Sequence, residues 1–326
     1  RQRDPNARSR RPVPREHLTP TGSTLTASPS RVPRIVVVTR PTEIEALVLR
    51  YGTLEQARFI LQSQGRAIGD VAARHALVKA ARATVASALP NAWRRVHLGR
   101  SELDRFVFED GDVVVPIGQD GLVANVAKYL TGQPVIGVNP DPSSYEGVLV
   151  QHRAETVRAI VEAVLRDRAN VAERTMVVAN FDDGQRIVAL NEIFVGHESH
   201  QSARYELTID GASERQSSSG IIVASGTGST GWARSIERER AEKIPLPSPG
   251  DQRLAYFVRE AFPGSGFAVA HTTGVLDRPR ELVVRSEMNE GGVVFGDGIE
   301  DDRIDFSWGV RATIGVAPEK LRLVAA

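Results

Sequence analysis

The chain has 326 residues, 41% of them hydrophobic and 25% charged, with a formal net charge of +1 and a pI near 8.3. That is enough chain for one large domain or two ordinary ones with a core that needs no covalent staples. The absence of cysteine excludes disulfides, thiolate zinc sites and a cysteine nucleophile; the charge balance gives no overall field for nucleic acid, and no run of about 18 apolar residues is present to span a membrane.

The composition fits a soluble protein of a reducing compartment, and a cytoplasmic location is expected. Lys79, Lys128, Lys243 and Lys320 are the only lysines, so any phosphate contact falls mainly to arginine. Residues 1–33, rich in Arg, Pro, Ser and Thr, lack the apolar content to fold alone and are expected to be a disordered tail.

An ordered α/β domain is expected over residues 34–172. RIVVVT (Arg34–Thr39) reads as a buried strand, followed by a helix from Thr42 to about Gln64 and a second from about Ile68 to Leu89. A short strand is expected at Phe106–Phe108 and a buried one at DVVVP (Asp112–Pro116). A glycine turn then leads into a helix, Val123–Leu130, and PVIGV (Pro134–Val138) is a further strand. Arg153–Arg166 reads as a helix. Strand, helix and strand in alternation predict a parallel layer.

From residue 173 to 326 the pattern changes to short β-branched runs separated by turn residues, which predicts a β-rich domain. Those runs are TMVVANF, QRIVALNEIFVG, ARYELTIDG, GIIVAS, GFAVAH, RELVVRS, GVVFGDG and RATIGV. The acidic stretch Gly298–Asp302 reads as a solvated turn, and His197 and His200 as surface histidines without a third metal ligand.

Two glycine clusters carry chemistry. Gly118-Gln119-Asp120-Gly121 stands where a buried strand hands over to a helix, the place where open α/β sheets bind ligands. Asp120 there fits either a proton acceptor, a magnesium partner or a plain Asp-Gly turn. Gly226-Thr227-Gly228-Ser229-Thr230 follows GIIVAS and fits a hydroxyl-lined wall for sugar or phosphate, or a Gly/Ser loop without a ligand. No Walker A lysine follows either cluster, which excludes a P-loop NTPase.

The order GQDG (Gly118–Gly121), GVNPDP (Gly137–Pro142), Asn191-Glu192, GTGST (Gly226–Thr230) and Asp297-Gly298 resembles the NAD kinase family over roughly residues 34–324. Asp141-Pro142 resembles the branch that includes mitochondrial-type enzymes. The resemblance implies a Rossmann-like parallel sheet plus a β-rich domain, and transfer of phosphate from ATP with Mg2+, or from polyphosphate, to the 2′-hydroxyl of NAD(H). It implies Asp120 as the catalytic base. It gives the nucleotide to Gly118, Gln119, Gly121, Asn191, Glu192, Thr227, Gly228, Ser229, Thr230, Trp232, Ser235 and Asp297, with no protein-held metal. A homodimer or homotetramer is implied as well. Gln119, Leu122 and Ser219 depart from the family's Gly, Thr/Asn and Asp. They raise two alternatives: a same-fold kinase for another nucleotide, nucleoside or sugar, and a non-catalytic nucleotide-binding protein.

Overall fold

β1 (Arg34–Thr39) is β-branched and buried over its centre, which makes it an inner strand of a parallel layer. Thr42 caps the next helix, its hydroxyl accepting from the Glu45 amide while the Glu45 carboxylate accepts from the Thr42 amide. The helix expected over Thr42–Gln64 is two helices in the computed structural model, which describes residues 32–326. α1 (Glu43–Tyr51) stops at Gly52, whose φ of 91° cannot continue a helix, and Thr53 caps α2 (Leu54–Ser63). α3 (Ile68–Ala88) ends before Pro90, as the sequence indicates. The tail expected over residues 1–33 lies outside the described residues, apart from its last two.

β2 (Arg94–Gly99) has too many charges to read as a strand; it is an edge strand, paired in parallel with β1. Phe106–Phe108 is not a strand: these residues are loop, the two rings packed edge to face at 4.9 Å. β3 (Asp112–Ile117) is wholly buried, α4 (Asp120–Ala127) starts inside the glycine turn, and β4 (Pro134–Val135) joins the layer beside β3. α5 (Val157–Leu165) packs with α3 on the far face of β1 and β3.

The second half is strand-rich. β5 (Val171–Phe181) and β6 (Arg186–Ala189) form a hairpin through Asp182–Gly184; β7 (Glu192–His197), β8 (Ala203–Ile209), β9 (Ala212–Ser218) and β10 (Ile221–Ala224) follow. α6 (Trp232–Glu239) leads to β11 (Arg253–Val258), β12 (Thr273–Asp277), β13 (Leu282–Ser286), β14 (Gly292–Gly296), β15 (Ile299–Asp305) and β16 (Arg311–Val324). GFAVAH is a loop rather than a strand, turned by Gly266 at φ 83°, and β12 follows it instead. The run expected as a solvated turn at Gly298–Asp302 is mostly β15, an edge strand held to β14.

Two sheets result. A ten-stranded sheet runs β2-β1-β3-β4-β16-β13-β8-β9, with β5 pairing to β16 and β6 to β5; the other is the antiparallel six-stranded order β12-β11-β10-β7-β14-β15. Their facing sides interdigitate in a core of Val177, Ile193, Val195, Leu207, Val223, Leu254 and Phe306. The ten-stranded sheet crosses the boundary between residues 172 and 173, because β16 pairs in parallel with β4 and antiparallel with β5. Residues Val32–Ala326 accordingly pack as one unit.

Candidate active site

The buried strand β3 delivers Gly118 and Gln119 to its carboxyl end, and Asp120 opens α4. The Asp120 carboxylate turns away from the α4 amides. Oδ1 accepts from the amides of Leu149 (2.8 Å) and Val150 (3.1 Å), and Oδ2 from Val148 (3.0 Å). A carboxylate offers about four acceptor positions, so Oδ2 keeps one for another partner. The GVN segment holds this loop in place. A Cβ at Gly137 would collide with the Leu149 carbonyl, and Asn139 bridges the Tyr145 carbonyl and the Asp141 amide. Tyr145 in turn donates its phenol to the Gly118 carbonyl at 3.2 Å. Burial, with Asp141 and Asp120 adding to it, pushes that phenol up to about 12, so it stays a neutral donor.

A cleft of about 520 Å³ opens at the carboxyl ends of β1 and β3. Arg40, Arg74, Arg100 and His75 line it together with Gly118, Gln119 and Asp141. The Arg40 guanidinium donates to Gln119 Oε1 at 2.7 Å. Three guanidinium groups around backbone glycine at a strand end suit an anionic, phosphate-bearing ligand.

The second frame is built on Asn191. Its carbonyl accepts from the Ser225 amide at 2.8 Å, and a Cβ at Gly228 would collide with that same carbonyl. Only glycine lets the GTGST loop lie this close. The Asp297 carboxylate accepts from the amides of Leu190 (3.0 Å) and Asn191 (2.6 Å). Burial raises Asp297 to about 6 against those amide bonds, and burial followed by the Asp297 charge raises Glu192 to about 7. Thr227 is buried, and among the described residues its hydroxyl has no partner. Ser229 donates to the Ser225 carbonyl and Thr230 to the Thr227 carbonyl, so both hydroxyls stiffen the loop. Asn191, Glu192, Asp297, Thr227 and Gly228 therefore form one polar cluster.

Trp232 lies on the face of the six-stranded sheet that carries Glu192, but its ring is stacked on Phe194 at 6.1 Å with Arg259 over it at 5.4 Å. Ser235 is exposed on α6. Leu122 is only 1% exposed and sits in the core beneath the glycine turn, so its departure from the family pattern is a packing change, not a donor contact. Ser219 is exposed at the far end of β10 from the GTGST loop, about 13 Å of strand away. Gln119, by contrast, does line the cleft. The cleft arginines and Arg174 on β5 escaped sequence reasoning, because no local motif marks one arginine among many. Burial lowers the Arg174 guanidinium from its ordinary value while the nearby Asp120 charge works the other way.

No protein-family profile matches the chain. A human protein named NAD kinase 2, mitochondrial, is 27% identical over 265 residues, which cover 66% of this chain and 60% of that one. A Halobacterium salinarum NAD kinase is 29% identical over 238 residues, 69% of this chain and 79% of its own. Among solved structures, a yeast NADH kinase in complex with NADH superposes with a TM-score of 0.56 at 15% identity, over 91% of this chain and 84% of that chain. In sequence and in fold the chain is similar to proteins named NAD kinase. An Archaeoglobus fulgidus NAD kinase in complex with ATP matches the fold as well, with a TM-score of 0.54 at 19% identity over 90% of this chain and 93% of the other. The chain spans about 60% of the length of the human relative.

Proposed function

We propose that the chain is an NAD(H) kinase, transferring the γ-phosphoryl group of MgATP to the 2′-hydroxyl of the adenosine ribose. The observation that carries this reading is the Asn191 frame. Two half-buried acids, a buried threonine hydroxyl without a partner among the described residues and a glycine-gated loop meet there, on a fold whose relatives are NAD and NADH kinases. In this reading the β-rich half holds the dinucleotide and the arginine-lined cleft of the α/β half holds the donor phosphates.

Asp120 Oδ2 takes the proton of the ribose hydroxyl as O2′ attacks the γ-phosphorus. The bond from γ-phosphorus to the β–γ bridging oxygen breaks, and ADP leaves with that electron pair. Glu192 and Asp297, held protonated more readily than ordinary carboxyls, share hydrogen bonds with nucleotide hydroxyls or amides, and Thr227 supplies a further donor. The residues bind and orient; most of the acceleration comes from positioning and electrostatics. Magnesium belongs to the donor, arriving on ATP, and one carboxylate beside the phosphates, such as Asp141 in the cleft, fits what that ion takes from protein.

A cytoplasmic location and a homodimeric or homotetrameric assembly belong to the same proposal. The cysteine-free composition supports a reducing compartment, no helix among the described residues is long and apolar enough to cross a membrane, and light scattering after gel filtration reads the assembly. The activity itself is tested by incubating the purified chain with ATP, Mg2+ and either NAD or NADH. A coupled NADP-specific dehydrogenase then reads the product. NADP(H) formation is expected; product only from another nucleotide or nucleoside would move the acceptor, and no product from any would remove the reading.

A further inference from the structure

Arg174 stands on β5, on the face that two residues along carries Met176 and Val178 against Leu122 and Val123 of α4. Among the described residues, its Nε and Nη1 are buried and have no hydrogen-bond partner. The charge that faces it is Asp120, whose oxygens accept from the amides of residues 148–150, and the two groups share no hydrogen bond. Fold stability does not explain such a group. A half-buried guanidinium with two nitrogens out of water and no close neutralisation costs free energy, and an apolar side chain of similar volume is as good or better there. Lys128, Lys243 and Lys320 are engaged with Asp302, Glu237 and Glu173, and the cleft arginines Arg40, Arg74 and Arg100 line the other side of the glycine turn with Gly118 and Gln119.

The geometry points to Arg174 as a phosphoryl-binding catalytic residue: its free N–H groups take equatorial oxygens of the group in transit between donor and O2′, opposite the Asp120 carboxylate. This rests on the kinase reading for its location, because the group in transit lies next to the atom that Asp120 deprotonates. A planar guanidinium presents paired donors to phosphate oxygens, which an ammonium does not. The site stays charged but unsatisfied until that anion arrives, so its interactions strengthen in the transition state.

The test is Arg174→Met, with Arg174→Lys and Arg174→Ala beside it. The Met variant is expected to melt no lower than wild type while kcat falls by roughly 10²–10³-fold, with KM for NAD unchanged. Guanidinium ion added to Arg174→Ala is expected to restore part of the rate, which a merely structural arginine would not allow. Wild-type kcat in a folded Met variant overturns the proposal. If the Met variant melts below wild type, Arg174→Lys decides: a kcat at least about tenfold down with unchanged melting supports the fork, and full activity overturns it. If wild type itself makes no NADP, the kinase reading fails first, and melting with inorganic tripolyphosphate and Mg2+ decides separately. Stabilisation of wild type but not of Arg174→Met upholds the anion site; equal shifts in both overturn it.

Discussion

Glu192 and Asp297 are carboxyls that the fold makes reluctant to ionise, and the reluctance has a direction in pH. Folded Glu192 holds its proton up to about 7 against an ordinary value of 4.5. The stability it contributes is therefore present below the unfolded value and lost as pH rises through about 7. Asp297 adds to the same trend, with its loss ending near 6. Glu192→Gln removes the charge without changing the shape. It is expected to raise the melting temperature at pH 8 by roughly 2–4 °C and to flatten its dependence between pH 5 and pH 8, as differential scanning calorimetry would read; unaltered pH dependence would mean that the site is more hydrated than its burial indicates. Thr227 makes a complementary case. Its hydroxyl is buried without a partner among the described residues, so Thr227→Val should cost no stability. Its KM for NAD should nevertheless rise by about 3–10-fold, the worth of one hydrogen bond, in steady-state kinetics.

At the scale of elements, the parts of the sequence with one dominant signal were legible. RIVVVT, DVVVP and GIIVAS are buried strands because β-branched runs have nowhere else to go, and the glycine clusters follow them at strand ends. β2 and β9 escaped because edge strands need little apolar content, and ASERQSS has almost none. The helix expected across Gly52 was divided by a positive φ that composition does not reveal. The site was half legible. Asn191, Glu192 and Asp297 meet, whereas Leu122 lies in the core, Trp232 is stacked on Phe194, and the cleft arginines come together from three separate places, Arg40 after β1, Arg74 on α3 and Arg100 after β2. That convergence gives a prediction. Arg40→Ala frees Gln119 and removes a cation from the cleft, so KM for ATP should rise by about tenfold or more with KM for NAD unchanged, and the ATP term should lose salt dependence. Equal effects on both substrates would place the donor elsewhere.

Across the whole molecule, β16 joins what the sequence divides. It lies parallel to β4 of the α/β half through Arg322 and Leu323, and pairs with β5 and β13 of the β-rich half. The expected calorimetric trace of residues 32–326 is one transition, and two well-separated transitions would show that the halves unfold independently. The same joint fixes the Asp120 turn relative to Arg174 and, through β5 and the loop whose Pro249 carbonyl receives the Thr175 amide, relative to the GTGST loop. In the proposed reaction, phosphoryl transfer depends on that register, with Asp120 as its base. The most direct measurement is NADP formation by wild type and by Asp120→Asn, with melting curves recorded on both. The account predicts robust wild-type turnover and a folded Asn variant slower by roughly 10²–10⁴-fold; a folded Asp120→Asn enzyme that still turns over at the wild-type rate would contradict it.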